Sequence, residues 1–228
     1  LVDKYHVREY VSKTIGGEYL IPLIAKVDGL VPQVFDKLPN EFVLKTSHGG
    51  GGENVKVVSN KQDLNIENTC AVFNSYLNKR LGKYVDELFY DINTPSVIVE
   101  ERIKNKDLST LLDYKFHVFK GTKETKVFLQ VNSNYGKIHE TKTLYELTGE
   151  ISVIQFSGYK YGPDKISLPK QFDKMVELAI TLSGDLNYSR IDLYNVDGKI
   201  YFGEITLCPA SGWDKLNTKE HDFYLGSL

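Results

Sequence analysis

Hydrophobic and polar positions along the chain follow two periods, and their alternation lays out the elements. Asp3 can cap a helix running to about Thr14, with Val7, Tyr10, Val11 and Ile15 on one face and Gly16-Gly17 as its stop. Tyr19 to Val27 reads as a short apolar strand broken by Pro22, and Pro32 and Pro39 mark the loop after it. Phe42-Val43-Leu44-Lys45 and Asn54-Val55-Lys56-Val57-Val58 are strands on either side of Ser47-His48-Gly49-Gly50-Gly51-Gly52-Glu53. Lys61 to Gly82 holds a helix with Phe73, Tyr76, Leu77, Arg80 and Leu81 at helical spacing and Gly82 as its stop. Ser96 to Ile103 is a buried strand that ends abruptly in charge, and Lys104 to Leu112 is a polar linker. Asp113 to Phe119 alternates as a strand closed by Lys120-Gly121, with Val127 to Val131 as its hairpin partner. Lys137 to Phe156 alternates weakly, as further strand with loop. Pro169 to Ser183 is an amphipathic helix with Phe172, Met175, Val176, Ala179 and Leu182 on one face, Pro169 in its first turn and Gly184 at its stop. Internal repeats and low-complexity tracts are absent.

The last pattern is a hairpin: Ser189 to Tyr194, the turn Asn195-Val196-Asp197-Gly198, then Ile200 to Thr206. Asp-Gly supplies the positive φ angles that a short hairpin turn needs. Strict alternation puts Arg190, Asp192 and Tyr194 on one face of the first strand. On the second strand it puts Tyr201, Gly203 and Ile205 one way and Phe202, Glu204 and Thr206 the other. Asp192 and Glu204 sit at similar distances from the turn, so a symmetric hairpin brings them together. Paired carboxylates repel unless a proton or cation lies between them. Hard oxygen ligands beside an arginine point to Mg²⁺ with a phosphorylated substrate; an ordinary hairpin with two solvated acids is the alternative.

The glycine run is neither a Walker loop, which needs GxxxxGK[ST] leading into a helix, nor the kinase GxGxxG, since position 54 is Asn. A glycine-rich loop between two strands can act as a flap whose backbone N–H groups fold over phosphate oxygens, with Lys45 adding a point charge at its base. A flexible hairpin tip is the alternative.

Composition narrows the classes. The chain has 228 residues and a formal net charge of −2, so no global field recruits nucleic acid or anionic membrane. Cys70 and Cys208 are too few for a disulfide framework or a zinc site, which fits a reducing cytoplasm. His6, His48, His117, His139 and His221 lack ligand spacing, and His117 on a strand reads as a packed or hydrogen-bonded histidine. No GxSxG elbow is present, and Cys208 before Pro209 has no evident base. No apolar run approaches the roughly 20 residues of a spanning helix, and no signal peptide is expected at the start. The chain opens with Leu1 and its only methionine is Met175, from which a missing or removed N-terminal part is expected.

The order of these features resembles the ATP-grasp superfamily, in which two α+β lobes close on ATP. It is most similar to the TupA-like branch, named for teichuronopeptide synthesis and found among capsule and cell-envelope polysaccharide genes. The matching stretches are Asp3-Lys4-Tyr5 with Val7-Arg8-Glu9-Tyr10, Leu38-Pro39-Asn40 with Phe42-Val43-Leu44-Lys45, and Ser47-His48-Gly49. Further on they are Asp113-Tyr114-Lys115-Phe116, Arg190-Ile191-Asp192-Leu193-Tyr194 and Gly198-Lys199-Ile200-Tyr201-Phe202-Gly203-Glu204.

The resemblance implies an α+β ATP-grasp fold of antiparallel sheets with packed helices, the N-terminal lobe that precedes it in the superfamily being absent or truncated. Residues 1–228 form the ATP-grasp domain: about 1–41 a linking helix and strand, 42–103 a small lobe with the glycine flap, 104–228 a large lobe with the metal hairpin. Lys45 and Lys115 are implied to hold ATP phosphates, with Gly49, Gly50, Gly51 and Gly52 closing as the flap. In the hinge of Glu100, Glu101, Arg102 and Ile103, Glu100 would take the adenine amine, while the backbone of Arg102 and Ile103 reads the ring edge. Asp113, with Asp107 as the alternative, would bind ribose. Asp192 and Glu204 would bind Mg²⁺ bridging the β- and γ-phosphates, and Arg190 would stabilise charge on the transferred phosphoryl group. Many members have Asn where this chain has Thr206, whose hydroxyl can coordinate or act through a water, so one or two ions are implied.

The activity implied is an ATP-dependent carboxylate–amine ligase working through an acyl phosphate in the cytoplasm. Its carboxylate would be a uronic or sugar acid of a surface polysaccharide or its precursor, and its amine an amino acid or small amine. A loose association with an envelope-assembly complex goes with that role. The rival readings are a sugar or protein kinase on the same cleft and an ATP-binding module without catalysis.

Overall fold

Alternation of apolar and polar residues in the first half of the chain builds a small antiparallel sheet; in the second half it builds a larger one. The computed structural model describes residues 1–50, 52, 54–122, 124–133 and 140–228. Two compact units divide the chain, Leu1–Lys13 with Leu20–Ile103 and Thr14–Tyr19 with Lys104–Leu228.

The first unit contains α1 (Val7–Thr14), β1 (Leu23–Val27), β2 (Phe42–Thr46), β3 (Val55–Val58), α2 (Ile66–Leu77), α3 (Leu81–Val85) and β4 (Val97–Glu100). Its four strands pair antiparallel in the order β1-β4-β2-β3. Asp3 starts the turn into α1, its Oδ1 accepting from the N–H groups of Tyr5 and His6 at 2.9 Å each, and Gly16 at φ +114° follows its end. Phe42 and Leu44 share a sheet face with Val97 and Val99, and all four pack with Leu30, Phe35 and Phe73 in one core. Each such side chain contributes about 1.5–3 kcal/mol by leaving water.

Three boundaries differ from the sequence reading. The first strand begins at Leu23, after Pro22, because Gly17–Tyr19 form a 3₁₀ turn. The strand expected to reach Ile103 ends at Glu100, its last ladder pair. The helix expected over Lys61–Gly82 ends at Leu77, and Gly82 lies inside α3 instead of stopping α2. Asp91 is the cause: its carboxylate accepts from the N–H groups of Gly82 and Lys83 at 3.0 and 3.2 Å and so caps a new helix start. A Cβ at position 82 would lie 2.7 Å from the Glu87 carbonyl oxygen, so glycine is needed for that approach.

The second unit contains β5 (Asp113–Lys120), β6 (Thr125–Ser133), β7 (Thr141–Tyr145), α4 (Phe172–Leu182), β8 (Tyr188–Val196), β9 (Lys199–Thr206) and α5 (Lys219–Gly226). Its sheet runs β7-β6-β5-β8-β9, antiparallel throughout. Phe116, Leu129, Ile191 and Ile205 fall in one cross-strand row, all buried, and Phe172 of α4 packs on Phe116 with ring centroids 5.8 Å apart. Met175, Leu178, Ala179 and Leu182 complete the buried stripe of α4, while Val176 is half-buried. Pro169 precedes this helix and is not in its first turn, because Gln171 takes a left-handed φ of 58° immediately before Phe172. The weakly alternating stretch resolves into β7 followed by loop; Lys137, Ile138 and His139 lie outside the described residues. Helix α5, capped by Thr218 Oγ1 accepting from the His221 N–H at 3.1 Å, has no counterpart in the sequence reading.

Asp197 and Gly198 both have positive φ, 53° and 97°, as a two-residue hairpin turn requires. Alternation then breaks once. Asp192 pairs with Glu204 but Leu193 pairs with Phe202, so Gly203 is an extra residue in β9, a β-bulge. Phe202 therefore joins Leu193 on the core side while Glu204 joins Asp192 on the other. The strict alternation expected for Phe202, Glu204 and Thr206 is corrected to a face carrying Glu204 and Thr206 alone. A Cβ at Gly203 would sit 3.0 Å from the Asp192 carbonyl oxygen and 3.2 Å from the Tyr194 ring, which is why the bulge carries glycine.

Candidate active site

In the second unit, cross-strand pairing assembles a charged row. Lys115, Asp192 and Glu204 occupy one register level; His117, Arg190 and Thr206 occupy the next. Arg190 Nε donates to Asp192 Oδ1 at 2.7 Å, and its Nη2 donates to both Asp192 Oδ2 at 2.8 Å and Glu204 Oε1 at 2.9 Å. Lys115 Nζ donates to Asp192 Oδ2 at 2.5 Å and also to Asp113. Thr206 Oγ1 donates to Glu204 Oε1 at 3.1 Å. Asp192 is 2% exposed, whereas the Glu204 side chain keeps 32% of its surface in solvent.

Charge and burial set the ionisation of this row. Burial pushes the Asp192 carboxyl up, but Arg190 and Lys115 outweigh it and hold the group below the usual carboxylate range. Asp113 is pushed up to about 6, first by crowding of protein around it and then by the Asp192 charge, even though a third of its side chain still meets solvent. Its Oδ1 is buried with no partner among the described residues. Burial acts to lower Lys115, yet Asp192 and Asp113 lift it above the ordinary lysine value. His117 is lowered to about 3 by burial and by the Arg190 charge, so it is neutral. Its Nε2 lies 2.7 Å from Gln130 Oε1 and must carry the proton, which leaves Nδ1 to accept from Tyr188 Oη at 2.9 Å. This matches the packed, hydrogen-bonded histidine read from the strand pattern.

The metal-binding potential follows from the donors. Among the described residues no three His, Cys, Asp or Glu groups converge as a ready metal cage. Two carboxylates and a hydroxyl are all that Asp192, Glu204 and Thr206 offer. That set suits Mg²⁺, which keeps several waters and uses one or two carboxylates with substrate phosphates in place of an all-protein cage.

The first unit carries a different cluster. Glu100 is 6% exposed, and its two oxygens accept from Arg8 Nη1 at 2.8 Å and Lys45 Nζ at 2.7 Å. Arg8 Nη2 also donates to the Ile21 carbonyl at 2.9 Å. Glu101 donates its N–H to the Pro22 carbonyl at 3.0 Å, and Arg102 reaches Glu41 at 3.4 Å; with Ile103 they lie beyond the strand. Asp107 is exposed and accepts from the Ser109 N–H at 2.9 Å.

The glycine run is tied at its base. Thr46 Oγ1 and the Asn54 amide both donate to the His48 carbonyl, at 3.1 and 2.5 Å, and Lys4 Nζ donates to the Gly49 carbonyl. Gly49 and Gly52 take positive φ of 79° and 77°. Gly49 is buried and Gly50 and Gly52 are exposed, while Gly51 lies outside the described residues.

Sequence reasoning gave no role to Arg8, Gln130 or Tyr188. Arg8 stands 92 residues from its partner Glu100, and nothing local marks the pair. Tyr188 and Gln130 would have followed from drawing β5, β6 and β8 side by side around His117.

Among the described residues no helix is long and apolar enough to cross a membrane. No curated protein matches the chain. Its fold is similar to D-alanine–D-alanine ligase from Helicobacter pylori (18% identity, TM-score 0.51, 92% of this chain and 55% of that one). It is also similar to an L-amino acid ligase from Bacillus licheniformis (12% identity, TM-score 0.53, 90% and 42%). A third likeness is to D-alanyl-alanine synthetase A from Vibrio cholerae (10% identity, TM-score 0.53, 90% and 55%). The chain thus spans about half the length of these structures, and at such identities the likeness establishes the α+β ATP-grasp fold. The model of the TupA-like ATP-grasp family matches residues 1–228, and the chain belongs to that family.

Proposed function

We propose that this protein is an ATP-dependent carboxylate–amine ligase that forms an amide through an acyl phosphate. Its carboxylate is a uronic acid of a surface polysaccharide or its precursor, and its amine an amino acid or small amine. The observation that carries the reading is Arg190 Nη2, which donates to Asp192 at 2.8 Å and to Glu204 at 2.9 Å and so gathers two acids and a guanidinium in one cross-strand group.

Asp192 and Glu204, with the Thr206 hydroxyl, would hold Mg²⁺; when bound, the ion supplies charge neutralisation on the phosphates. Lys115 and Arg190 are the protein's own counter-ions. With nucleotide absent they neutralise Asp192; with nucleotide present their donors turn to phosphoryl oxygens, the groups on which negative charge grows during transfer. In the first unit Lys45 and the glycine run offer cationic and N–H donors of the kind that bind phosphate. No protein nucleophile is required: the substrate carboxylate attacks the γ-phosphorus, ADP departs, and the amine then displaces phosphate from the acyl phosphate.

Hydroxylamine tests this directly, because it intercepts an acyl phosphate as a hydroxamate. The protein with Mg²⁺, ATP and a panel of uronic acids is expected to yield hydroxamate by mass spectrometry and inorganic phosphate by ³¹P NMR. Phosphate retained on a sugar or protein product would identify a kinase. Tight ATP binding with no turnover on the whole panel would identify a binding module.

A further inference from the structure

Beyond Thr206 the chain makes a turn that its sequence does not favour. Ala210, Ser211 and Gly212 have φ of 51°, 53° and 75°, three successive residues in the left-handed region, two of them with a Cβ. Such conformations are unfavourable for L-residues and persist only where surroundings hold them, often at ligand-binding positions. This turn presents Trp213, 80% exposed and the only tryptophan of the chain.

A second aromatic side chain is tethered to the residue that follows it. Residues 155–157 run antiparallel to 215–217, with Phe156 bridged to Leu216, the Ser157 N–H donating to the Lys215 carbonyl at 2.8 Å and the Asn217 N–H to the Gln155 carbonyl at 2.7 Å. The chain turns at Ser157-Gly158, and Tyr159 comes back to the residue that follows Trp213. Tyr159 Oη donates to Asp214 Oδ1 at 3.0 Å, and Asp214 is itself ion-paired with the buried Lys142. The Lys142 ammonium lies 4.8 Å from the centroid of the Tyr159 ring and 4.0 Å from that of Phe156. Tyr159 is therefore fixed at its hydroxyl and backed by a cation, with 39% of its surface open to solvent. Lys160 and Lys215, next to these aromatics in sequence, are exposed and form no ion pair among the described residues.

We propose that Trp213 and Tyr159 form a stacking platform for a pyranose ring of an acidic oligosaccharide, with Lys160 and Lys215 pairing with its carboxylates. Held aromatic faces suit the apolar C–H face of a sugar at little cost in ordering, and uncommitted ammonium groups suit uronate charge. Charge complementarity distinguishes this occupant from a neutral glycan. The proposal rests on the uronate reading for the carboxylate substrate and adds where sugars beyond the reacting one would bind.

Trp213 is its own reporter. Titrating the full chain with oligogalacturonate, without ATP, is expected to give a saturable change in its emission that weakens as salt rises. Tyr159→Ala and the double change Lys160→Ala with Lys215→Ala should each weaken that binding at least about tenfold, with circular dichroism unchanged. Trp213→Ala should lose the binding heat in calorimetry. The proposal is overturned if oligogalacturonate leaves the emission unchanged, if malto-oligosaccharide binds equally well, if the substitutions have no effect, or if only anionic phosphatidylglycerol vesicles shift the emission. Hydroxamate formation from monomeric galacturonate reads the ligase step separately, so a failed platform and a failed ligase assignment are distinguishable.

Discussion

The two units each hold a buried ionic cluster, and the clusters have opposite surplus charge. In the first unit Arg8 and Lys45 surround the single carboxylate of Glu100, leaving one positive charge in excess. In the second, Arg190 and Lys115 face Asp113, Asp192 and Glu204, leaving one negative charge in excess when all are ionised. Both units contain antiparallel sheets, and every member of the two clusters sits on a strand except Arg8, which α1 supplies, so strand geometry does not explain the contrast. Composition of the row does. A surplus cation is completed by an anion such as a phosphate, and a surplus anion by a metal ion.

The largest expected effect removes an acid from the negative cluster. Glu204→Gln should lower Mg²⁺-dependent ADP release roughly 100- to 1,000-fold, while nucleotide binding measured by calorimetry partly survives. Full activity in that variant would end the metal-site assignment. Next comes the mirror change in the positive cluster. Glu100→Gln leaves two cations packed against a neutral amide and should cost about 3 kcal/mol in urea unfolding, since breaking a buried pair strands its partners. An unchanged midpoint would mean that water, not Glu100, balances Lys45 and Arg8.

His117 sharpens the contrast, because keeping it neutral withholds a third positive charge from the second cluster. The native group, lowered to about 3, stays unprotonated where an unfolded histidine takes up a proton below about pH 6.5. That contribution to stability is present above pH 6.5 and is lost as pH falls, by about 2 kcal/mol at pH 5. His117→Gln should flatten the fall in stability between pH 7 and 5 relative to the unsubstituted chain; parallel curves would show that the ring already protonates in the folded state. The smallest effect concerns Lys115, which occupies Asp192. Lys115→Met should tighten Mg²⁺ binding in the absence of nucleotide by about tenfold, roughly 1.4 kcal/mol. Weaker binding would show that Lys115 supports the metal site instead of competing for it.

Much of this arrangement was legible in residue order. Periodicity located the glycine run between two strands, the helix around Met175 and the hairpin at Asp197-Gly198, because each is a local pattern enforced by burial or turn geometry. The nearness of Asp192 and Glu204 was legible from their similar distances to the turn, but counting outward from Asp197-Gly198 puts Gly203 opposite Asp192, and only the bulge brings Glu204 there. What escaped was set by distant partners. Arg8 meets Glu100 across 92 residues, and α2 stops where Asp91 caps a second helix. Alternation also failed at Gly203, where one inserted residue changes which side every neighbour takes.

That inserted glycine lies where a change of length keeps the facing pairs, and so does the tip of the hairpin. Lengthening the loop at Asp197-Gly198 would leave the levels of Asp192 and Glu204 untouched. Deleting Gly203 would join Phe202 directly to Glu204 in a regular ladder, with Phe202 still beside Leu193 and Glu204 still beside Asp192. What the extra residue supplies is a local bend in β9, which sets the angle at which the Glu204 carboxylate approaches its guanidinium.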